Sequence, residues 1–169
     1  MKDTDKLDLI VFGATGFTGK LVCEYFSKNI GKDNNIHWGI AGRNRDKLNA
    51  LTAELGLGDI PLFIVDVEDK ASLDAMASAC KVVLNTAGPY AKYGSNVVES
   101  CARLGTDHVD LNGEPLWMMQ RMQKQLRAMP EHERTSVAEW FADRGQDDLL
   151  EMNFGPAVER AGLTVRLAD

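Results

Sequence analysis

The stretch Leu9-Ile-Val-Phe-Gly-Ala-Thr-Gly-Phe-Thr-Gly19 constrains the fold of this chain more than any other. An apolar run too short for a helix ends in three glycines spaced three apart, and a helical pattern follows. Leu7 to Phe12 reads as a buried strand. Phe17 to Phe26 sets Leu21, Val22, Tyr25 and Phe26 along one helical face, with the Tyr25 ring directed to the core. The turn between them is suited to a dinucleotide. Gly13 supplies the tight turn, Gly16 lets the backbone approach a pyrophosphate, and Gly19 lets the helix pack closely on the strand. The first helical turn adds N–H groups that have no partner within the helix.

Strands and helices keep alternating to about residue 116. Ile36 to Ala41 is a second strand, and Arg45 to Gly56 is a helix with Leu48, Leu51 and Leu55 at helical spacing. Ile60 to Val67 is a third strand, Lys70 to Ala79 a helix, and Val82 to Asn85 a fourth strand. Asn96 to Leu104 is a helix closed by Gly105, and His108 to Leu111 a fifth, buried strand. This pitch predicts an α/β fold, a doubly wound parallel sheet with right-handed crossovers whose ligands bind beyond the carboxyl ends of the strands.

Those carboxyl ends indicate which nucleotide is held. A second strand serving NAD usually ends in a carboxylate for the ribose 2′-hydroxyl, but here it runs into Ala41-Gly-Arg-Asn-Arg45. Arg43, with Asn44 and Arg45 beside it, offers guanidinium and amide donors for a 2′-phosphate, so NADP(H) is favoured over NAD(H). Asp66, at the end of the third strand, has two open readings: acceptor from the adenine amino group, or cap of the following helix. Gly88 and Pro89 make a turn beyond the fourth strand, facing the nicotinamide half.

Composition excludes other partners. With 169 residues, 44% of them hydrophobic, and a net charge of −6, the chain has a core but no general grip on nucleic acid or an anionic membrane. Cys23, Cys80 and Cys101 are odd in number and widely spaced, which predicts neither a disulfide framework nor a metal site. No apolar run approaches the roughly 18 residues of a membrane span. The charged N-terminus does not read as a signal peptide. The expectation is a cytoplasmic protein with a small-molecule substrate.

From the fourth strand onward the sequence resembles a known family. Asn85-Thr-Ala-Gly-Pro-Tyr90, Tyr93-Gly94, Val97-Val98, Cys101, Gly105-Thr-Asp107 and Val109-Asp-Leu-Asn-Gly-Glu114, following the glycine turn, resemble the saccharopine dehydrogenase-like oxidoreductases, which include trans-acting enoyl reductases. The likeness covers about residues 7 to 117 and implies a Rossmann domain binding NAD(P). It further implies that Gly13, Thr15, Gly16, Phe17 and Thr18 line the pyrophosphate, Arg43 the ribose phosphate, Asp66 the adenine, and Ala87, Gly88 and Pro89 the nicotinamide ribose.

Catalytic residues are not assigned. The glycine spacing also occurs in short-chain dehydrogenases, but the Tyr-x-x-x-Lys pair of their chemistry is missing from the sequence. Tyr90, Tyr93 and Glu114 lie where a substrate edge would be, but loop packing for the tyrosines and a helix N-terminus for Glu114 is the favoured reading. His108 reads as a core or cap histidine.

After residue 116 lysine gives way to arginine and methionine, which suggests a boundary between a dinucleotide-binding domain, 1–116, and a helical tail, 117–169. In the tail, Trp117 to Met129 sets Met119, Met122, Leu126 and Met129 on one face, a stripe that offers either core packing or a homodimer surface. Thr135 to Arg144 and Gly155 to Gly162 read as further helices, and residues 163–168 as a returning sixth strand. The function expected is an NADP(H)-dependent oxidoreductase, or its cofactor domain, moving hydride to or from an unsaturated or imine-like substrate. The alternative is a non-catalytic NAD(P)-binding module, a redox sensor or partner-dependent subunit.

Overall fold

Alternating faces along the central strand explain the architecture. In a computed structural model, which describes residues 6–30, 36–118 and 120–121, the elements run β1 (Leu7–Phe12), α1 (Phe17–Asn29), β2 (Trp38–Gly42), α2 (Arg45–Leu55), β3 (Leu62–Ile64), α3 (Lys70–Ser78), β4 (Cys80–Asn85), α4 (Tyr90–Leu104) and β5 (Asp107–Asp110). Ile10 and Phe12 of β1 enter a cluster with Leu73 and Met76 of α3 and with Val97 and Cys101 of α4. Val11, one residue out of phase, enters a second cluster with Cys23 of α1 and with Leu48 and Leu51 of α2. A strand covered on both faces needs apolar residues on both, and β1 has them without interruption from Leu9 to Phe12, its one polar residue, Asp8, lying near its start. The result is a sheet between two helical layers.

The sheet is parallel throughout, in the order β3-β2-β1-β4-β5. The chain therefore steps outward from β1 to β3, then crosses back to β4 on the other side of β1. The reversal leaves a crevice at the carboxyl ends of β1 and β4. Register makes the strand ends level, since Phe12 pairs with Ala41 on one side and with Asn85 on the other.

Several expectations are corrected. On α1 the buried positions are Gly19 and Cys23, while Leu21 and Tyr25 are exposed. Gly19 lies against the β1 turn and draws its own face of the helix inward, which leaves Leu21 and Tyr25 on the other side. Strand β3 is three residues long, not eight, and Asp66 lies beyond its end. Helix α4 begins at Tyr90, immediately after Pro89, six residues before the expected Asn96. Strand β5 is not a buried strand: it is an edge, with Val109 and Leu111 beside it exposed.

The chain divides into two compact units, Met1–Asn112 and Gly113–Asp169. In the second, residues 115–118 and 120–121 are helical, and the Met118 amide donates to the Glu114 carbonyl. The rest of the expected helix to Met129, the helices at 135–144 and 155–162, and the strand at 163–168 fall outside the described residues. Among the described residues no helix is long and apolar enough to cross a membrane.

Candidate cofactor site

Because the ends of β1, β2 and β4 are level, the turns that follow them meet. The amides of Gly13 and Ala14 both donate to the Ala41 carbonyl, at 3.0 and 3.2 Å, which ties the first turn to β2. On the other side the Thr86 amide and hydroxyl both donate to the Phe12 carbonyl at 2.8 Å. The three turns enclose a cleft of about 210 Å³. Of the expected residues, Gly13, Thr15, Gly16, Arg43, Ala87 and Gly88 line it, joined by Phe12, Gly42, Val67, Thr86 and Tyr93.

The turn requires its glycines for steric reasons. Gly13 has φ +84°, and a Cβ there would lie 2.8 Å from the Ala87 amide nitrogen. At Gly19 a Cβ would lie 2.2 Å from the Gly13 carbonyl oxygen and 2.8 Å from the Ala14 Cα, so helix and turn meet backbone to backbone. Helix α1 therefore starts immediately behind the cleft. Its N-cap, Gly16, brings no side-chain acceptor, whereas Asn44 caps α2 by accepting from the Lys47 amide at 2.9 Å and Asp69 caps α3 by accepting from the Ala71 amide at 3.0 Å. The first-turn donors of α1 are thus left for an outside acceptor. A dinucleotide phosphate fits this cradle.

Four expected residues are not part of the cleft wall. Phe17 is 86% exposed at the start of α1, and Thr18 follows it half-buried. Pro89 is exposed, joined to Gly88 by a cis peptide bond, and is the N-cap of α4. Asp66 is exposed, and its Oδ1 accepts from the Glu68 amide at 2.9 Å. Its alternative reading as a helix cap is wrong, because Asp69, three residues on, takes that position. The Asn44 side-chain oxygen is committed to the α2 cap, and Arg43 is the one charged residue among those lining the cleft.

The sequence reading missed the support behind the Thr86 to Gly88 loop. Asn85 is wholly buried at the end of β4, and its Oδ1 accepts from the Ala87 amide at 2.9 Å. Its Nδ2 lies 3.4 Å from His108 Nε2, and the Tyr90 hydroxyl donates to the Asn85 carbonyl at 2.9 Å. His108 Nδ1 in turn stands 3.9 Å from Asp110 Oδ2. Burial pushes the His108 pKa down and Asp110 opposes it. A polar residue ending an apolar strand, as Asn85 does, was the available signal. Tyr93, weighed only as loop packing or a substrate edge, forms part of the cleft wall.

The comparisons with known proteins agree with this geometry. A family model described as the saccharopine dehydrogenase NADP binding domain matches residues 9–140. Trans-acting enoyl reductases of Mycobacterium leprae and Mycobacterium tuberculosis are each 40% identical to this chain, over 114 and 111 residues. Those stretches cover 66% and 64% of this chain but 27% and 26% of the relatives, so the chain spans about a quarter of their length. Among solved structures, apo saccharopine dehydrogenase (L-Glu forming) of Saccharomyces cerevisiae is similar at TM-score 0.51 and 27% identity, covering 62% of this chain and 21% of that one. A short-chain dehydrogenase/reductase of Veillonella parvula, at TM-score 0.50 and 14% identity over 62% of this chain and 46% of its own, shares the fold alone.

Proposed function

The chain belongs to the family of saccharopine dehydrogenase NADP-binding domains, and from that premise we propose that it is the cofactor-holding part of an oxidoreductase moving hydride to or from an unsaturated or imine-like substrate. The observation that carries the reading is the cleft itself, where the glycine turn, Arg43 and the Thr86 to Gly88 loop meet at the switch point of the sheet. When bound there, NADPH supplies the hydride. The chain's own residues bind and orient. Gly13, Thr15 and Gly16, with the first turn of α1 at Phe17 and Thr18, hold the pyrophosphate. Arg43 holds the 2′-phosphate, Asp66 accepts from the adenine amino group, and Ala87, Gly88 and Pro89 flank the nicotinamide ribose.

The second reading, a binding module that needs a partner for catalysis, is favoured by one observation. Tyr93 is the single proton-bearing acid among the residues lining the cleft, whose one charged member is Arg43. The cytoplasmic setting rests on three buried free thiols, and self-association through the 117–129 stripe rests on its sequence pattern alone.

Titration of the chain with NADPH and NADH tests the cofactor role, the expected result being tighter NADPH binding. Arg43→Asp should remove that preference, and an unchanged preference would discard the 2′-phosphate assignment. Oxidation of NADPH on adding an enoyl or imine substrate separates enzyme from module.

A further inference from the structure

Beside the cleft, one aromatic ring serves two cations. The Arg43 guanidinium carbon lies 5.9 Å from the centroid of the Tyr93 ring, and the Lys92 ammonium lies 5.0 Å from it. They come from two distant parts of the chain. Arg43 leaves the end of β2, while Lys92 and Tyr93 lie in the first turn of α4, where both amides donate to the Pro89 carbonyl at 3.2 and 3.0 Å. The ring is half-buried and packs against the core cluster of β1, α3 and α4, so its position is fixed from below. Both cations are exposed, and among the described residues neither forms an ion pair.

Two like charges on one ring repel each other. The quadrupole of the ring offsets part of that cost, and a dianion between the charges would reverse it. A ribose phosphate monoester carries close to two negative charges at neutral pH. Arg43 alone would be a long side chain free to sweep the solvent, with rotamer entropy to lose on binding. Seated on a fixed ring, it loses less.

We propose that Tyr93 and Lys92 complete the subsite for the 2′-phosphate: Tyr93 is a positioning residue that holds the Arg43 guanidinium over the cleft, and Lys92 is the second cation. This rests on the reading of Arg43 given above and extends it to α4, an element outside the glycine turn and the second strand from which nucleotide preference was read.

The test is equilibrium binding of NADPH and NADH to the full chain and to Tyr93→Phe, Tyr93→Leu and Lys92→Gln. Tyr93→Phe keeps the ring and should hold the NADPH-to-NADH affinity ratio within about twofold. Tyr93→Leu should lower that ratio about fivefold through NADPH alone, the worth of one partly desolvated cation–π contact. Lys92→Gln, at an exposed position with no fold to endanger, should weaken NADPH about fivefold, leave NADH unchanged, and reduce the salt dependence of NADPH binding. Equal weakening of both nucleotides by Tyr93→Leu would make the ring plain packing and overturn its role. An unaltered NADPH affinity in Lys92→Gln would overturn the second cation. Binding of neither nucleotide by the unmodified chain would instead bring down the cofactor reading itself, a result separate from a lost ratio.

Discussion

The side chain of Asn85, wholly buried at the end of β4, holds the backbone amide of Ala87 at 2.9 Å and so fixes the loop that forms one wall of the cofactor cleft. A wholly buried amide is tolerated at this strand end because its polar ends are used, Oδ1 by Ala87 and Nδ2 toward His108. Replacing Asn85 by Ala strands the Ala87 N–H and opens a void. The expected cost is about 2 kcal/mol of stability, with weaker binding of NADPH and NADH alike. Denaturant melts and paired titrations check it, and a variant as stable and as tightly binding as the parent would refute the loop-fixing role.

Gly19→Ala should be more damaging than any other glycine-to-alanine change in the turn. The added methyl meets the Gly13 carbonyl at 2.2 Å and the Ala14 Cα at 2.8 Å, both backbone, so helix α1 must move away from β1. Overpacking of this kind costs about 3 kcal/mol, and it shifts the phosphate-facing end of the helix at the same time. Thermal denaturation and NADPH titration should both register it, and a normal melting temperature would contradict the backbone contact.

His108 should give the chain a distinct pH response. Its pKa is lowered in the folded state, chiefly by burial, with Asp110 acting in the opposite direction. The unfolded chain therefore binds this proton more readily than the folded one. The stabilisation is complete above the ordinary value of 6.5 and is lost as pH falls below it toward the folded value. Melting temperatures measured from about pH 7 to 5 should fall more steeply for the parent than for His108→Gln. Parallel curves would show that His108 is not the group responsible.

The three thiols should be silent in the folded protein. Burial pushes Cys23 and Cys80 up to about 12 and Cys101 up to about 11, so almost no thiolate is present near pH 8. A chromogenic disulfide reagent should react slowly with the native chain and release three equivalents once it is unfolded, as the sequence requires. Rapid labelling without denaturant would show that α1, α4 or the start of β4 opens locally.

How far the sequence could be read depended on how local each signal was. The strand, glycine turn and helix were legible because they are contiguous, and the doubly wound fold followed from alternation alone. The buried face of α1 was not, because Leu21 and Tyr25 satisfy helical spacing while the face is chosen by Gly19, whose close approach to Gly13 is a tertiary fact. Arg43 could be placed by counting from the end of β2. Tyr93 in the cleft wall and Asn85 behind it could not be placed with it, because both are brought there by the pairing of β1 with β4, more than seventy residues apart in the chain. The three-residue length of β3 was hidden because Val65 and Val67 stay buried beyond its last residue, Ile64, so burial there did not mark the strand's end.

The order β3-β2-β1-β4-β5 has a temporal meaning as well as a spatial one. The nucleotide turn occupies residues 13 to 19, near the start of the sequence, yet the groups that lock it come from Ala41 and then from Thr86. A ribosome that has released only the first βα unit and its successor has made every glycine of the turn and none of its right-hand wall. The cleft wall is therefore complete only once β4 lies beside β1, and a nucleotide bound across it would favour the state in which the two halves of the sheet are joined.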